Sequence, residues 1–186
     1  MNKNLKLIVI LVAAVLIIGG GTLLYRSLIE GAKISDSENV NSGTEPEMYA
    51  FVPFEVTGPD GEKTVIAYSE KKVTVINFWA SWCSVCNEEM GVFERLYLDH
   101  GDIFDIKMVD LTDGQRETIA RAKDYISKKG YTFPVFFDED YNSVDEYYIV
   151  SIPRTLIIDR DGTVICDITG GVTEETFDEI ISSYIK

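Results

Sequence analysis

The sequence predicts an α/β domain in which helices cover both faces of one sheet, preceded by one membrane-spanning helix. The domain is predicted because short apolar runs with β-branched residues alternate with segments of helical periodicity, and a strand hairpin and a helix end the chain. The membrane span is predicted because residues 7–24 are uncharged. As a helix they would extend about 27 Å, close to the hydrocarbon thickness of a bilayer.

The amino-terminal charges predict which side of the membrane the domain occupies. Lys3 and Lys6 precede the apolar stretch, so the positive-inside rule predicts a cytoplasmic amino terminus and an extracytoplasmic domain. A cleaved signal peptide is the alternative, although no Ala-x-Ala-like site is visible. The predicted divisions are a cytoplasmic tip at 1–6, a transmembrane anchor at 7–25, a flexible linker at 26–47 and the folded domain at 48–186.

Composition excludes several classes of function. The 186-residue chain has a formal net charge of −14, and its first 26 residues contain Lys3, Lys6 and Arg26 but no acidic residue. The remainder is therefore strongly acidic and repels phosphate, so we predict no nucleic-acid partner. Three cysteines and one histidine are too few for a disulfide-stapled scaffold and lack the close spacing of a structural zinc site. We predict neither a metal nor a cofactor.

Strands and helices are predicted to alternate from residue 48 onward. The predicted strands are 48–56, 63–68, 73–78, 103–111, 133–137, 154–159 and 163–168, with a turn at 58–61 between the first two. The predicted helices are 83–99, 113–129 and a final helix from 173. Gly130 is expected to stop the second helix. In the first helix, an apolar stripe that includes Cys86, Met90 and Phe93 marks the face toward the core.

The residues that carry chemistry are Cys83 and Cys86, which lie where the predicted strand at 73–78 meets the helix at 83–99. Unpaired N–H groups and the helix dipole at such a junction stabilise a thiolate. Cys83 begins the helix, where a partner can reach it, whereas Cys86 lies one turn further along the apolar face. An activated thiol beside a shielded one is what thiol–disulfide exchange requires, so a merely structural pair is the weaker alternative.

The stretch from Asn77 to Cys86, Asn-Phe-Trp-Ala-Ser-Trp-Cys-Ser-Val-Cys, resembles a thioredoxin active site. More narrowly, it resembles that of the TlpA/ResA-type extracytoplasmic thioredoxins, in which Asn is usual at the position of Asn77. The segment 151–155, Ser-Ile-Pro-Arg-Thr, is similar to the cis-proline loop of that family. The step of 67 residues from Cys86 to Pro153 fits the family's central insert, near residues 101–137.

The resemblance covers about residues 48–186 and implies a thioredoxin fold with an N-terminal β-hairpin extension and a central insert. Two departures are visible. Gly91 stands where many members have proline, and the dipeptide Ser84-Val85 matches no subgroup. The reduction potential, and with it the direction of electron flow, therefore stays open.

The resemblance also implies roles for six residues. Cys83, Cys86 and Glu89 would be catalytic, while Trp82, Ile152 and Pro153 would bind the substrate. Helical spacing supports Glu89 independently, because it shares a face with Cys86 whereas Glu88 points away. We expect burial beside a thiol to raise the pKa of Glu89, so that it exchanges a proton with Cys86. The alternative is a partly exposed glutamate with an ordinary pKa.

Other conspicuous residues have structural explanations. Cys166 is expected to be a buried apolar residue rather than a second redox group, because alternation places Val164, Cys166 and Ile168 on one strand face. Trp79 is expected to pack beneath the cysteines. Three tyrosines are expected to pack around the insert, namely Tyr141, Tyr147 and Tyr148.

The expected function is reduction of disulfides in exported proteins by a membrane-anchored thiol–disulfide oxidoreductase. By resemblance, a membrane thiol transporter of the CcdA/DsbD type would supply electrons, and apocytochrome c, an envelope protein or a methionine sulfoxide reductase would be the client. A peroxidase of the alkyl-hydroperoxide-reductase type is one alternative, but it needs a Pro-x-x-x-Thr-x-x-Cys setting that this site lacks. A non-catalytic docking module is another, against which the intact Cys83 and Cys86 argue.

Overall fold

The computed structural model describes residues 48–184 of the chain. The predicted cytoplasmic tip, transmembrane anchor and linker lie outside the described residues, so they stay predictions. Within residues 48–184, no helix is both long enough and apolar enough to cross a bilayer.

One eight-stranded sheet organises the described residues, in the order β1-β8-β7-β4-β5-β6-β2-β3. The strands are β1 Tyr49–Ala50, β2 Phe54–Thr57, β3 Lys63–Ile66, β4 Val73–Trp79, β5 Phe104–Asp110, β6 Val135–Phe137, β7 Arg154–Ile158 and β8 Thr163–Thr169. The helices are α1 Ser84–His100, α2 Ile119–Lys129, α3 Asn142–Tyr147 and α4 Glu174–Tyr184. β4, β5 and β6 are parallel, while β7 runs antiparallel to β4. This arrangement confirms the predicted α/β class.

The junction of β4 and α1 sets the position of the two cysteines. Every residue of β4 is buried, because the strand lies inside the sheet between β5 and β7. Cys83 caps α1, and its side chain accepts a hydrogen bond from the backbone N–H of Cys86. The buried face of α1 consists of Cys86, Glu89, Met90, Phe93 and Leu96. The predicted apolar stripe is confirmed, and Glu89 is its only charged member.

Two groups of buried side chains pack on opposite faces of the sheet. The first group, on the face that α1 and α4 cover, includes Trp79, Met90, Phe93, Phe104 and Phe177 together with Cys83 and Cys86. The second group includes Phe51, Phe54, Phe78, Tyr147 and Leu156. Successive residues of β4 alternate between the groups, as strand geometry requires. The redox pair therefore belongs to the core of the first face, with Trp79 packed in the same group as predicted.

The predicted strand at 48–56 is wrong as a single element. β1 pairs with β8 at one edge of the sheet, whereas β2 pairs with β3 and β6 at the other edge. Between them the N–H of Phe51 donates to the carbonyl of Gly162, and Pro53 has no N–H to continue a ladder. Alternation along a segment does not reveal such a change of partner. The β2–β3 hairpin itself confirms the predicted N-terminal extension.

The second helix begins at Ile119, six residues later than the sequence predicted. Asp113 forms a turn instead, because its carboxylate accepts hydrogen bonds of 2.7 Å from the N–H groups of Gln115 and Glu117. Thr118 then caps α2 with its side chain. Gly130 ends the helix in the left-handed conformation, as predicted.

A short helix, α3, follows the predicted insert and was not predicted from the sequence. Tyr147 packs as expected, since it is buried and its hydroxyl donates to the carbonyl of Val52. The prediction is wrong for Tyr141 and Tyr148, which are 38% and 83% exposed. Both adopt positive φ at the two ends of α3, so the chain turns their side chains away from the core that Tyr147 enters.

A β-bulge in β8 breaks the alternation predicted for Val164, Cys166 and Ile168, so the three side chains do not share one face. Ile157 pairs with Cys166 but Ile158 pairs with Val164, so one extra residue lies on β8. Val164 accordingly packs in the second core group, whereas Cys166 and Ile168 pack against the first. Cys166 is a free thiol and is half-buried rather than fully buried.

The packing of α1 against α4 predicts a large cost for truncating Phe93. Its ring is fully buried and meets the ring of Phe177 edge-on, with 5.1 Å between centroids. Phe93→Ala should lower the free energy of unfolding by about 3–5 kcal/mol, measured by urea denaturation. Leu98→Ala is the matched control, because Leu98 lies on the same helix and is 63% exposed. Equal losses in the two variants would contradict this packing.

Candidate active site

Cys83 and Cys86 form a disulfide at the amino-terminal end of α1, with their Cα atoms 5.3 Å apart. Cys83 is 6% exposed and Cys86 is fully buried. Cys83 is therefore the more exposed of the two cysteines, as predicted. It is less exposed than expected, because the Ile152 carbonyl oxygen lies 3.9 Å from its sulfur. The N–H of Cys86 donates to the Cys83 sulfur at 3.2 Å, a contact that favours negative charge on that atom.

The loop that precedes β7 lies against the disulfide. Its Ile152–Pro153 peptide bond is cis, as the family resemblance implied. The carbonyl of Pro153 accepts a 2.9 Å hydrogen bond from the N–H of Gly170, which ties the loop to the end of β8. Pro153 is buried, whereas Ile152 is partly exposed beside Cys83. The structure thus brings together the cysteine and the two loop residues that the sequence selected.

A groove of about 370 Å³ adjoins the cis-proline loop. We call it the apolar groove, and its lining includes Trp82, Tyr141, Val150 and Ile152. Val150 is 95% exposed and Trp82 is 42% exposed, so both present apolar surface to solvent. The guanidinium of Arg116 stacks on Trp82, 3.6 Å from the ring centroid. Exposed apolar side chains next to a reactive sulfur suit the binding of another protein's chain.

Glu89 is buried, with 3% of its surface exposed. One carboxylate oxygen accepts a 2.8 Å hydrogen bond from the Asn77 side-chain amide, and the other accepts a 2.6 Å bond from the N–H of Val172. The Asn77 amide also donates to the hydroxyl of Thr155 on β7. Glu89 is therefore held directly by β4 and by the loop before α4, and β7 supports it through Asn77. Glu89 is predictable from its helical spacing, whereas no local pattern predicts its contact with Val172 or the contact of Asn77 with Thr155.

Burial raises the pKa of Glu89 to about 7, and the hydrogen bonds from Val172 and Asn77 only partly oppose that rise. This value confirms the expected direction, and desolvation is its main cause. A cleft of about 460 Å³ adjoins the carboxyl and is lined in part by Glu88, Val92 and Gly171. A buried group with a pKa near neutrality and a path to solvent can gain and lose a proton under ordinary conditions.

A further buried carboxylate, Glu117, fixes the loop that leads into Cys83. Its side chain is fully buried and accepts hydrogen bonds of 2.6 Å from both the N–H and the hydroxyl of Ser81. The carbonyl of Ser81 accepts a bond from the Asn87 side chain at 3.0 Å. Glu117 was not predicted as a site residue, because it lies 34 residues beyond Cys83 in a segment predicted as helix.

These features define a class of protein. A disulfide-forming cysteine pair caps the helix after a central strand, a cis-proline loop faces it, and a buried carboxyl lies one turn further along the helix. Parallel and antiparallel strands surround this site in the order expected of the thioredoxin fold. The protein is a thiol–disulfide oxidoreductase with a dithiol redox centre.

Comparison with known proteins gives the family. Residues 49–166 match the AhpC/TSA family, and the chain belongs to it. The thiol–disulfide oxidoreductase ResA of Bacillus thuringiensis is 28% identical over 186 residues, which cover all of this chain and 98% of the relative. The sporulation thiol–disulfide oxidoreductase A of Bacillus subtilis is 28% identical over 64% of this chain and 72% of its own length.

Solved structures agree with the fold. The crystal structure of StoA from Bacillus subtilis superposes with a TM-score of 0.59 at 26% identity, over 69% of this chain and 95% of StoA. A thiol:disulfide interchange protein DsbE from Chlorobium tepidum gives a TM-score of 0.65 at 21% identity, over 74% of this chain and 96% of that protein. The chain is thus a ResA-like enzyme, and the docking-module alternative is set aside.

Proposed function

We propose that this protein reduces disulfides in exported proteins, with Cys83 as the attacking residue and Cys86 as the resolving residue. The observation that carries the proposal is the Cys83–Cys86 disulfide at the start of α1, beside the apolar groove. Cys83 keeps some exposure while Cys86 has none. A client sulfur therefore meets Cys83 first, and the helix terminus favours its thiolate.

In the reduced protein, the Cys83 thiolate attacks a client disulfide, forms a mixed disulfide and releases one client sulfur as a thiolate. Cys86 then loses its proton and attacks the sulfur of Cys83, which restores the Cys83–Cys86 disulfide and releases the second client sulfur. Two electrons pass from the pair to the client. The two client thiolates take up two protons, one that Cys83 released when it ionised and one that Cys86 loses during its attack. Glu89 is the proposed acceptor of the Cys86 proton, because both lie on the buried face of α1.

The apolar groove is the proposed client-binding surface. Trp82 and Ile152 would contact an extended client segment on either side of Cys83, and buried Pro153 would hold the loop in place. An extended segment also brings backbone groups to the loop, and sequence-independent contacts of this kind suit an enzyme with several clients. The open apolar lining, including exposed Val150, supports this assignment.

The location and the electron source are proposed from the amino-terminal sequence. Residues 7–24 would anchor the chain, and Lys3 and Lys6 would keep its amino terminus in the cytoplasm. The domain would then face a compartment where disulfides persist. A membrane thiol transporter of the CcdA/DsbD type would return the pair to the dithiol state after each turnover.

One experiment in intact cells tests location, direction and donor together. The full chain is expressed with Cys166→Ser, which leaves Cys83 and Cys86 as its only thiols. A membrane-impermeant maleimide reagent should label the pair in cells that contain the transporter, and a mass shift on a gel measures the labelling. Deletion of the transporter should abolish the labelling, because the pair would then accumulate as the disulfide.

Each other outcome overturns a named part of the proposal. Labelling only after lysis would contradict the extracytoplasmic location. A pair that stays oxidised in both strains, and reacts only after added dithiothreitol, would point to an oxidase. Rapid peroxide consumption by the purified protein would favour the alternative function, a peroxidase of the alkyl-hydroperoxide-reductase type. The site lacks the Pro-x-x-x-Thr-x-x-Cys setting that such a peroxidase needs, so we expect no such consumption.

A further inference from the structure

Asp110 is a second buried carboxyl near the redox centre, and nothing in the exchange chemistry above uses it. It ends β5 at the register position beside Trp79, the residue that ends β4. Residues paired in register on neighbouring strands point to the same face of the sheet, so Asp110 lies on the face that holds Cys83 and Cys86. It is fully buried there.

The contacts of Asp110 leave its charge poorly compensated. One oxygen accepts a 2.6 Å hydrogen bond from the hydroxyl of Thr112. The other oxygen is buried and has no hydrogen-bond partner among the described residues. Within residues 48–184, no lysine or arginine forms an ion pair with it. A carboxylate in this environment is costly, and the protonated form is favoured.

The groups that face Asp110 are themselves acidic. They are Glu117 and Asp113 from the segment before α2, and Tyr141 from the start of α3. Asp138 meets Asp110 only through the backbone, because its carboxylate bonds Ser143. Burial, reinforced by the charges of Glu117 and Asp113, raises the pKa of Asp110 to about 8. Glu117 in turn bonds Ser81, two residues before Cys83. Charge on Asp110 therefore adds to the negative potential under the active-site loop.

We propose that Asp110 is a proton-linked positioning residue of the redox centre, which takes up a proton when the Cys83–Cys86 disulfide is reduced and releases it on oxidation. It acts through the potential at the loop, by way of Glu117 and Ser81, and not by contact with the sulfur atoms. The inference rests on the redox activity of the cysteine pair and is independent of the direction proposed above.

A donor dithiol gives two electrons to the Cys83–Cys86 bond, becomes a disulfide and releases two protons. Cys86 takes one proton as its thiol. Where Cys83 stays a thiolate, its negative charge raises the proton affinity of Asp110. At a pH of about 8 and above, where Asp110 of the oxidised protein is partly ionised, Asp110 accepts part of the second proton and solvent takes the remainder. Reciprocally, an ionised Asp110 disfavours the Cys83 thiolate, because the coupling acts equally in both directions.

The direct test is a carbon-13 NMR titration of aspartate carboxyls in the full-length protein, oxidised and then reduced, with Asp110→Asn to assign the signal. The pKa of Asp110 should be higher by about one unit in the reduced protein, as one added like charge in a buried site would cause. Asp105 is the control, because it lies on the same strand at the end paired with Thr74 and bonds Lys107. An Asp110 pKa that is equal in both redox states overturns the inference.

A second measurement separates this linkage from a purely structural role. In the reduced wild type, the pH dependence of the iodoacetamide reaction of Cys83 should show two steps, one from ionisation of Cys83 and one from ionisation of Asp110, whereas Asp110→Asn should show only the first. A single step in the wild type, or two steps in a folded variant, contradicts the proposal. If the variant fails to fold, the wild-type titration still decides. Failure of client reduction in cells would leave the redox-dependent shift at Asp110 intact, so the two proposals fail separately.

Discussion

Replacing Cys86 with serine should leave the protein covalently attached to its clients through Cys83. Cys83 is the partly exposed member of the pair and still forms a mixed disulfide, but the buried thiol that resolves it is gone. Turnover should fall by at least about a hundredfold. Non-reducing gels of cells that express the variant would show high-molecular-mass species that collapse on reduction, and mass spectrometry would place the link at Cys83.

Two control variants make this result specific. Cys83→Ser should trap nothing, because Cys86 is fully buried and cannot reach a client. Cys166→Ser should keep full turnover, since Cys166 lies on β8, where burial raises the pKa of its thiol and lowers its reactivity. Equal trapping by the Cys83 and Cys86 variants, or trapping by neither, would contradict the assigned roles.

Replacing Glu89 with glutamine should slow resolution of the mixed disulfide by about a hundredfold near pH 7. In the wild type the rate should rise as the pH passes through about 7, because the ionised carboxylate is the form that accepts the Cys86 proton. The variant has no such group and should lack that rise. Stopped-flow measurement of resolution in a preformed mixed disulfide, from pH 5 to 9, measures both effects.

The carboxyl of Glu89 should also make the free energy of unfolding depend on pH. Its pKa is raised from 4.5 in the unfolded chain to about 7 in the folded protein, so ionisation of Glu89 destabilises the folded state. The carboxyl costs no stability at low pH, and the cost grows as the pH rises from about 4.5 to about 7. Relative to Glu89→Gln, the wild type should therefore lose about 3 kcal/mol of unfolding free energy across that range.

Glu88→Gln is the matched control for both measurements, because Glu88 is the neighbouring residue on α1 and is exposed. It should change neither the resolution rate nor the dependence of stability on pH. If Glu89→Gln behaves like Glu88→Gln in the kinetic experiment, Glu89 is a structural residue that fixes Asn77 and Val172 and takes no part in proton transfer.

Sequence spacing predicts those residues of the redox centre that lie close together along the chain. Cys83, Cys86 and Glu89 lie within two turns of one helix, so spacing alone predicts which share a face. Pro153 was found only through a family resemblance, because no local pattern brings it to Cys83. Glu117 and Asp110 were missed, since their importance comes from contacts with a loop that lies far away in sequence.

By itself, the sequence determined the class of the domain, the central strand, the helix that carries the redox pair and the burial of Glu89. These follow from periodicity and from the chemistry of a helix terminus. The tertiary structure decided which strands became neighbours. It placed β1 and the β2–β3 hairpin at opposite ends of the sheet and shifted the register around Cys166. It also raised the pKa values of Glu89 and Asp110, because desolvation depends on everything packed around a group, and only the folded chain supplies those surroundings.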